Sequence, residues 1–457
     1  MSIVPLNLTD EKNVSGSIKK FISDFKIVAL LRKCGGNKLK GIPFLVLFTY
    51  VLTNAFRKGS FYMQQHMGAL QDSFSKNTYY RFMTNQKMNW LRFTTLLSER
   101  IINQHIRPLT SENRADCFVI DDSMYERTGY RKTELVSRVF DHVSMSYRKG
   151  FRLMTLGWTD GCSFLPINFS LLASSNAANT LGVCNSFDKR SIAGKRRIMA
   201  RKKGTTVMVQ LLKFALDAGH KAKYVLFDSW FSNPKQIVDI HNLGLDVIAM
   251  VKRSSKIRYL FNGESRNIKQ IYAASKKRRG RSRYLLSVKV KVIRENTAVD
   301  ARIVCVRNRS KAKDWLALIC TDMSLSEQEI IRIYGKRWDI EVFFKTCKDS
   351  LQLSKEYHGL SYDGMTAHVA MVFARYMLLA VAKRDSEDDR TLGELFYIAV
   401  AELEDITYSY SMNLLAEAML SVIQEYLHLS DDKIEELYKS ALQKLPKSMQ
   451  NLLKQAG

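Results

Sequence analysis

Residues 117–123 read Cys-Phe-Val-Ile-Asp-Asp-Ser, an apolar run that leads directly into two aspartates. The pattern returns at residues 224–228, which read Tyr-Val-Leu-Phe-Asp. Short apolar runs with polar ends are typical of buried strands. Each strand would then end on a carboxylate, Asp121 or Asp228, at the rim of a sheet where the two can meet. Taken singly, either aspartate is more often a turn or capping residue.

Strands and helices alternate around these two runs. The apolar spacing predicts strands at 138–145, 152–158, 164–172 and 246–251, and helices at 205–218 and 234–243. The first three strands fit a meander of adjacent antiparallel strands, and the rest follow in the order helix, strand, helix, strand. This order predicts an α/β fold.

A third carboxylate lies in a helix-like stretch at residues 334–348, YGKRWDIEVFFKTCK. On a continuous helix, Tyr334, Arg337, Glu341 and Lys348 fall within about 60° of one another. This polar strip suits a polyanion that lies along the helix while the carboxylate holds a cation. The alternative is an amphipathic helix whose charges are merely solvated.

Composition favours a polyanionic partner. The 457 residues carry a formal net charge of +27, and 46% of them are hydrophobic, as in a globular protein. Such an excess of positive charge is typical of proteins that bind nucleic acid or an acidic membrane surface. Seven scattered cysteines without a C-x-x-C pair indicate reduced thiols in a cytoplasm. The N-terminal residues have no signal-peptide pattern, and His368 and Arg375 interrupt the apolar run 365–382, which predicts a buried helix and no membrane association.

The spacing Y-x2-R-x3-E-x6-K of Tyr334, Arg337, Glu341 and Lys348 resembles the signature of DDE transposases of bacterial insertion sequences, in particular the Y-R-E-K group. The resemblance implies a ribonuclease-H-like catalytic core interrupted by a β-strand insertion domain. It also implies that Asp121, Asp228 and Glu341 are catalytic and hold two Mg²⁺ or Mn²⁺ ions, which prefer carboxylate oxygens. Asp122 competes with Asp121 for the first position and would otherwise cap or orient.

The same resemblance implies DNA contacts. Tyr334, Arg337 and Lys348 match residues that grip the transposon end near the cut. Trp315 matches a tryptophan that stacks on a base flipped out of the duplex, although a core tryptophan is an equal alternative. Lys252 and Arg253 match basic DNA contacts more loosely.

Composition and spacing also divide the chain into regions. The predicted domains are a helical DNA-binding domain at 1–110, the catalytic core at 111–251 and 322–382, an inserted β domain at 252–321, and a helical C-terminal region at 383–457 for protein contacts. Residues 68–81 resemble a helix-turn-helix, with a polar helical hairpin as the alternative. The polar loop 176–205 contains a basic stretch, 189–203, with no acidic residue. We expect this stretch to contact DNA phosphates, unless it only aids solubility.

Together these features predict a cut-and-paste DNA transposase in the bacterial cytoplasm, associated with the nucleoid. It would act on double-stranded DNA as a homodimer, bind the terminal inverted repeats of its element, cleave them through a hairpin intermediate and join them to target DNA. The alternatives are a metal-dependent DNA nuclease of the same fold and a non-catalytic DNA-binding derivative. Tyrosine recombination is not favoured, because it requires a different set of Arg, His and Tyr residues.

Overall fold

The computed structural model divides the chain into two compact units. One comprises Met1–Lys26, Lys38–Phe82 and Asp389–Gly457, and the other Ile27–Asn37 and Met83–Asp388. The structure describes residues 16–37, 40–56, 61, 74–110, 114–127, 129, 131–141, 145–278, 282, 284–308 and 314–385, and scattered positions between 419 and 444. The predicted C-terminal region lies mainly outside the described residues.

The first unit is helical where it is described. Its helices are Gly16–Asp24 (α1) and Phe44–Asn54 (α3), and Lys76–Met83 (α4) ends at its boundary. The rings of Phe61 and Tyr79 stack at 4.0 Å in its core. Of the helix-turn-helix prediction, the second helix is present as α4, and Ser75 Oγ accepts a hydrogen bond from the Thr78 backbone N–H, as a helix cap does. Residues 62–73, which would contain the first helix, lie outside the described residues.

A large mixed sheet with flanking helices forms the second unit. Its helices are α2 (Ile27–Lys33), α5 (Trp90–Ile101), α6 (Ile192–Ala200), α7 (Gly204–Asp217), α8 (Pro234–His241), α9 (Ile268–Ala274), α10 (Glu327–Gly335), α11 (Trp338–Asp349) and α12 (Tyr362–Asp385). Its strands are β1 (Cys117–Glu126), β2 (Ser137–Asp141), β3 (Ser146–Thr159), β4 (Phe164–Leu172), β5 (Tyr224–Phe227), β6 (Asp246–Met250), β7 (Arg258–Phe261), β8 (Glu264–Asn267), β9 (Leu286–Arg294), β10 (Thr297–Arg307) and β11 (Trp315–Cys320).

The order of the strands confirms the predicted fold class. Strand β3 pairs antiparallel with β1, β2 and β4, while β1, β5 and β6 are parallel neighbours. An antiparallel meander followed by parallel strands reached through helices is the ribonuclease-H-like arrangement. The strands of the predicted insertion continue the same sheet, because β11 pairs antiparallel with β6 and is followed by β10, β9, β7 and β8. The domain boundaries remain predictions.

Helix α12 is the apolar core element of this unit. It is long and apolar enough to span a membrane, but 94% of its most apolar stretch of 18 residues is buried inside the protein. Arg375 in its middle is fully buried, and its guanidinium donates to Glu356 Oε1 at 3.0 Å. The prediction of a buried helix at this place is confirmed, because a core helix with a paired cation satisfies the same hydropathy pattern.

The basic stretch 189–203 is not the loop that the sequence predicts. Residues 192–200 form α6, whose cap Ser191 accepts a hydrogen bond from the Gly194 N–H at 3.0 Å. Arg197 is buried and forks onto both oxygens of Glu134 at 2.7 and 2.9 Å, and Arg196 pairs with Asp363. These two arginines are therefore largely buried and paired with carboxylates inside the protein. Six basic side chains of the stretch stay exposed as candidate DNA contacts: Lys189, Arg190, Lys195, Arg201, Lys202 and Lys203.

A buried histidine makes the stability of the second unit depend on pH. His220 Nε2 donates to the Thr95 carbonyl at 3.0 Å, and burial lowers the pKa of His220 from 6.5 to about 4. Between these values the unfolded chain binds a proton that the folded chain does not. We therefore expect the free energy of unfolding to fall as pH drops from 6.5 to 4, by about 3 kcal/mol from this residue.

Urea titrations across this pH range measure the effect, which burial of His368 increases further. His220→Gln should flatten the dependence, and the exposed control His358→Gln should leave it unchanged. Equal slopes for His220→Gln and the unaltered protein would contradict this account.

Candidate active site

Asp121 and Asp228 lie side by side at one edge of the sheet. In the parallel pair of β1 and β5, Ile120 is the partner of Phe227, so the next residue of each strand is an aspartate. Neighbouring strands lie about 4.8 Å apart, which brings the two carboxylates together. Strand β1 does not end at Asp121, as the sequence predicts, but continues to Glu126 because β3 still pairs with it.

Arg337 links the first of these aspartates to Glu341. Its guanidinium lies 3.2 Å from Asp121 Oδ2 and also pairs with Glu341 Oε1. The residues stay partly accessible, with side-chain exposures of 16% for Arg337, 18% for Asp121 and 34% for Glu341. The predicted strip thus supplies a cation between two of the three predicted catalytic carboxylates.

The predicted continuous helix over 334–348 is wrong. Helix α10 ends at Gly335 and α11 begins at Trp338, and the backbone N–H groups of Lys336 and Arg337 bond three residues back instead of four. Such bonds tighten the chain into a 3₁₀-like turn. The turn therefore changes the positions of Tyr334 and Lys348 relative to those on a regular helix.

Polar contacts fix this turn against the sheet. Lys336 Nζ donates to the carbonyls of Ala115 and Asp160 at 2.6 and 2.9 Å, and Thr159 Oγ1 donates to Asp339 Oδ2 at 2.6 Å. Gly161 has a φ of +90°, and a Cβ there would lie 2.9 Å from Lys336 Cε. The positive φ favours glycine at this position, and the Lys336 side chain packs against it.

Negative charge accumulates at this edge. Burial, together with the charges of Asp122 and Asp228, raises the pKa of Asp121 to about 7. The pKa of Tyr334 is also raised, mainly by burial and in part by Asp228 and Asp121. Asp122, the competing aspartate, pairs instead with Arg152. Asp121 therefore lies close enough to Asp228 to be repelled by it, and it shares Arg337 with Glu341. Asp122 pairs with Arg152.

The donor atoms at this edge fit a divalent cation. Adjacent carboxylates are the hard oxygen ligands that Mg²⁺ and Mn²⁺ prefer, and a cation would offset the repulsion that raises the pKa of Asp121. Among the described residues, no group of three or more His, Cys, Asp and Glu is arranged to hold a metal. In this structure Arg337 engages both Asp121 and Glu341, so a cation bound by these carboxylates would take the place of the guanidinium.

Three further predicted DNA contacts, Lys348, Arg253 and Lys252, differ in their surroundings. Lys348 lies near Asp141 and Glu126; burial lowers its pKa, and these acids partly oppose the shift. Arg253 is held by Asp314, with Nη2 3.1 Å from Oδ2, so its charge is already balanced. Lys252 is exposed, with Nζ 4.9 Å from the centre of the Trp230 ring.

Trp315 is half-buried in an aromatic stack. Its ring lies parallel to that of Tyr272 with centres 4.2 Å apart, and the Arg253 guanidinium lies 5.3 Å from its centre. One face of the indole is therefore covered in this structure. Its role in stacking on a flipped base stays a prediction.

The sequence reasoning missed two residues beside the carboxylates. Trp230 follows Asp228 by two positions, donates its backbone N–H to Asp228 Oδ1 at 2.8 Å, and has 43% of its surface exposed. Arg152 lies 5.2 Å from the centre of its ring. An aromatic residue just after a strand-end aspartate could have signalled Trp230, but nothing in the local sequence of β3 signals Arg152.

Comparisons with a family model and with solved structures each found a match. The sequence model of the family described as DDE superfamily endonuclease matches residues 59–313, more than half of the chain. The match includes Asp121 and Asp228 and ends before Glu341. A cryo-EM structure of a piggyBac transposase synaptic complex with hairpin DNA aligns with a TM-score of 0.44 and 11% identity, over 87% of this chain and 82% of that chain. No curated protein matches. The chain belongs to the DDE superfamily endonuclease family.

Proposed function

We propose that the protein is a cut-and-paste DNA transposase of a bacterial insertion sequence, of the Y-R-E-K group. One observation carries the proposal: Asp121 and Asp228 follow adjacent positions of two parallel strands, and Arg337 links Glu341 to Asp121. A nuclease that only hydrolyses DNA needs the carboxylates but not Tyr334 and Arg337 next to them. The net charge of +27 suits a substrate with many phosphates.

The residues would have different roles at the scissile phosphate. Asp121, Asp228 and Glu341 would hold the cations, and Arg337, which now neutralises two of these carboxylates, would turn to a DNA phosphate. Two divalent ions, Mg²⁺ or Mn²⁺, would supply Lewis-acid polarisation of the phosphate and an activated water or 3′-hydroxyl. The aspartates come from rigid strands, and the anchored turn at Lys336 positions Arg337 and Glu341, so the site is largely preorganised.

A transposase also binds and joins specific DNA. The protein would bind the terminal inverted repeats as a homodimer in the bacterial nucleoid, close each cut end into a hairpin, reopen it and join it to target DNA. Trp315, Lys252 and the exposed basic residues around α6 are the candidate contacts for this DNA. The second candidate function is a metal-dependent nuclease, which the family membership equally supports.

Linear DNA that carries the inverted repeats flanking the reading frame tests the proposal. With Mg²⁺ we expect cuts at the repeat boundaries, hairpin ends that run as fragments of double length on denaturing gels, and products joined to a target plasmid. Without divalent cation none should form. Hydrolysed ends with neither hairpins nor joined products would identify the nuclease, and binding without any cleavage would identify a non-catalytic derivative.

A further inference from the structure

An exposed tryptophan lies at the edge of the sheet that carries the catalytic candidates. Three parallel strands lie in register, with Ile120 of β1 next to Phe227 of β5 and Phe227 next to Ala249 of β6. Shortly after these positions come Asp121, Trp230 and Lys252, so all three lie at the carboxyl ends of this parallel set. In open α/β sheets this carboxyl edge is where ligands bind. Phe231 is 2% exposed and anchors the loop in the core, whereas the neighbouring Trp230 is 43% exposed. A partly exposed tryptophan close to the predicted catalytic residues is a candidate contact for substrate.

Two cationic side chains lie close to this indole. The Lys252 ammonium lies 4.9 Å and the Arg152 guanidinium 5.2 Å from its ring centre. Arg152 forms an ion pair with Asp122, whereas Lys252 has no ion pair among the described residues. Lys252 also lines a neighbouring cavity of about 680 Å³. The cavity is lined by Lys252, Arg253, Ser254, Ser255, Asn267, Lys269, Gln270 and Ala273. None of these lining residues is acidic, so the cavity suits an anion.

We propose that Trp230, Lys252 and Lys269 form a subsite for one unpaired nucleotide of the DNA strand next to the cut. The base stacks on Trp230, and Lys252 leaves the ring for the adjoining phosphate, with Lys269 across the cavity. An aromatic face and a basic groove are the two features by which proteins hold single-stranded DNA without reading its sequence. The subsite rests on the proposed function, because it takes DNA as the substrate, and it differs from Trp315, whose ring is stacked on Tyr272.

Binding without cleavage tests the subsite. The probe is a short duplex with a single-stranded overhang that carries 2-aminopurine, whose fluorescence falls when it stacks, and a blunt duplex of the same sequence is the reference. In EDTA we expect the unaltered protein to quench the probe. Trp230→Ala should lose the quenching and bind the overhang roughly 5- to 150-fold more weakly, while its affinity for the blunt duplex is unchanged.

Matched variants separate stacking from folding and charge. Trp230→Phe keeps an aromatic face and should retain most of the binding, whereas Trp230→Leu keeps apolar volume without that face and should bind like Trp230→Ala. The control Phe214→Ala removes an equally exposed aromatic ring, also 43% exposed, from α7 and should change nothing. Quenching and affinity that survive in Trp230→Leu would overturn the subsite, as would equal losses for blunt and overhanging DNA.

The test of the subsite can fail or succeed independently of the test of the proposed function. A protein that binds the overhang through Trp230 but never cuts DNA keeps the subsite and loses the transposase assignment. A protein that cuts and joins element ends while Trp230→Leu binds the overhang normally keeps the assignment and loses the subsite.

Discussion

Asp121→Asn is expected to abolish DNA cleavage while the protein remains folded and able to bind DNA. An amide neither carries the charge nor binds a divalent cation as a carboxylate does. The loss of several kcal/mol of transition-state stabilisation corresponds to roughly a thousandfold or greater fall in rate. Binding should persist, because the basic surfaces that attract phosphate do not include this residue. Strand cleavage in Mg²⁺ and DNA binding in EDTA measure the two effects separately.

The same variant should not be less stable than the unaltered protein without metal. Burial and repulsion from Asp122 and Asp228 raise the pKa of Asp121 to about 7, so its ionised form is unfavourable in the folded state. An acid with a raised folded-state pKa lowers stability as pH rises from its unfolded value towards 7. Replacement by a neutral amide removes this cost, as is common for active-site residues.

Melting experiments with added Mn²⁺ complete the test. The cation should raise the melting temperature of the unaltered protein and not that of Asp121→Asn. The control Asp300→Asn, an exposed aspartate of β10, should cleave DNA and respond to Mn²⁺ normally. Full activity of Asp121→Asn would remove Asp121 from the site and direct attention to Asp122.

The largest loss of stability is expected for Asp363→Ala. The Asp363 carboxylate pairs with Arg196 and with Arg197, whose Nη2 lies 2.8 Å away, and both arginines are nearly buried. Removal of the carboxylate leaves Arg196 without its ion pair, and Arg197 keeps only Glu134. Breaking a buried ion pair from one side typically costs about 3–5 kcal/mol.

Tryptophan fluorescence during urea unfolding measures this loss, because all five tryptophans belong to the second unit. Asp188→Ala breaks the exposed pair with Arg190 and should leave the transition unchanged. Addition of Arg196→Met to Asp363→Ala should recover part of the stability, since it removes the stranded charge. An unchanged midpoint for Asp363→Ala would show that the network contributes little.

Local pattern predicted the central strands well. The apolar runs before Asp121 and Asp228 predicted two buried strands, and both are present as parallel neighbours in register. A buried strand is recognisable because its apolar run is short and has polar ends. The short strands β7 and β8 and helix α9 were missed, since their residues are mixed in polarity and show no clear period.

Sequence spacing was misleading where tertiary contacts decide the backbone. A regular helix fits the pattern from Tyr334 to Lys348, yet the chain turns at Lys336, whose side chain donates to the carbonyls of Ala115 and Asp160 next to β1 and β3. The basic stretch around Arg196 and Arg197 is dense in charge, yet the partners of these two arginines, Glu134 and Asp363, come from distant parts of the chain. No local pattern contains such partners.

The sequence by itself determined the central strands, the α/β class and the positions of the two aspartates after them, because hydrophobic periodicity and strand ends are properties of neighbouring residues. Only the tertiary structure decided that Arg337 lies between Asp121 and Glu341, that Tyr272 covers Trp315 and that Trp230 stands exposed among cations. These are contacts between residues far apart in the chain, and they depend on how the elements pack. The burial of each group and the arrangement of charges around it set the chemistry of the site, and both exist only once that packing is formed.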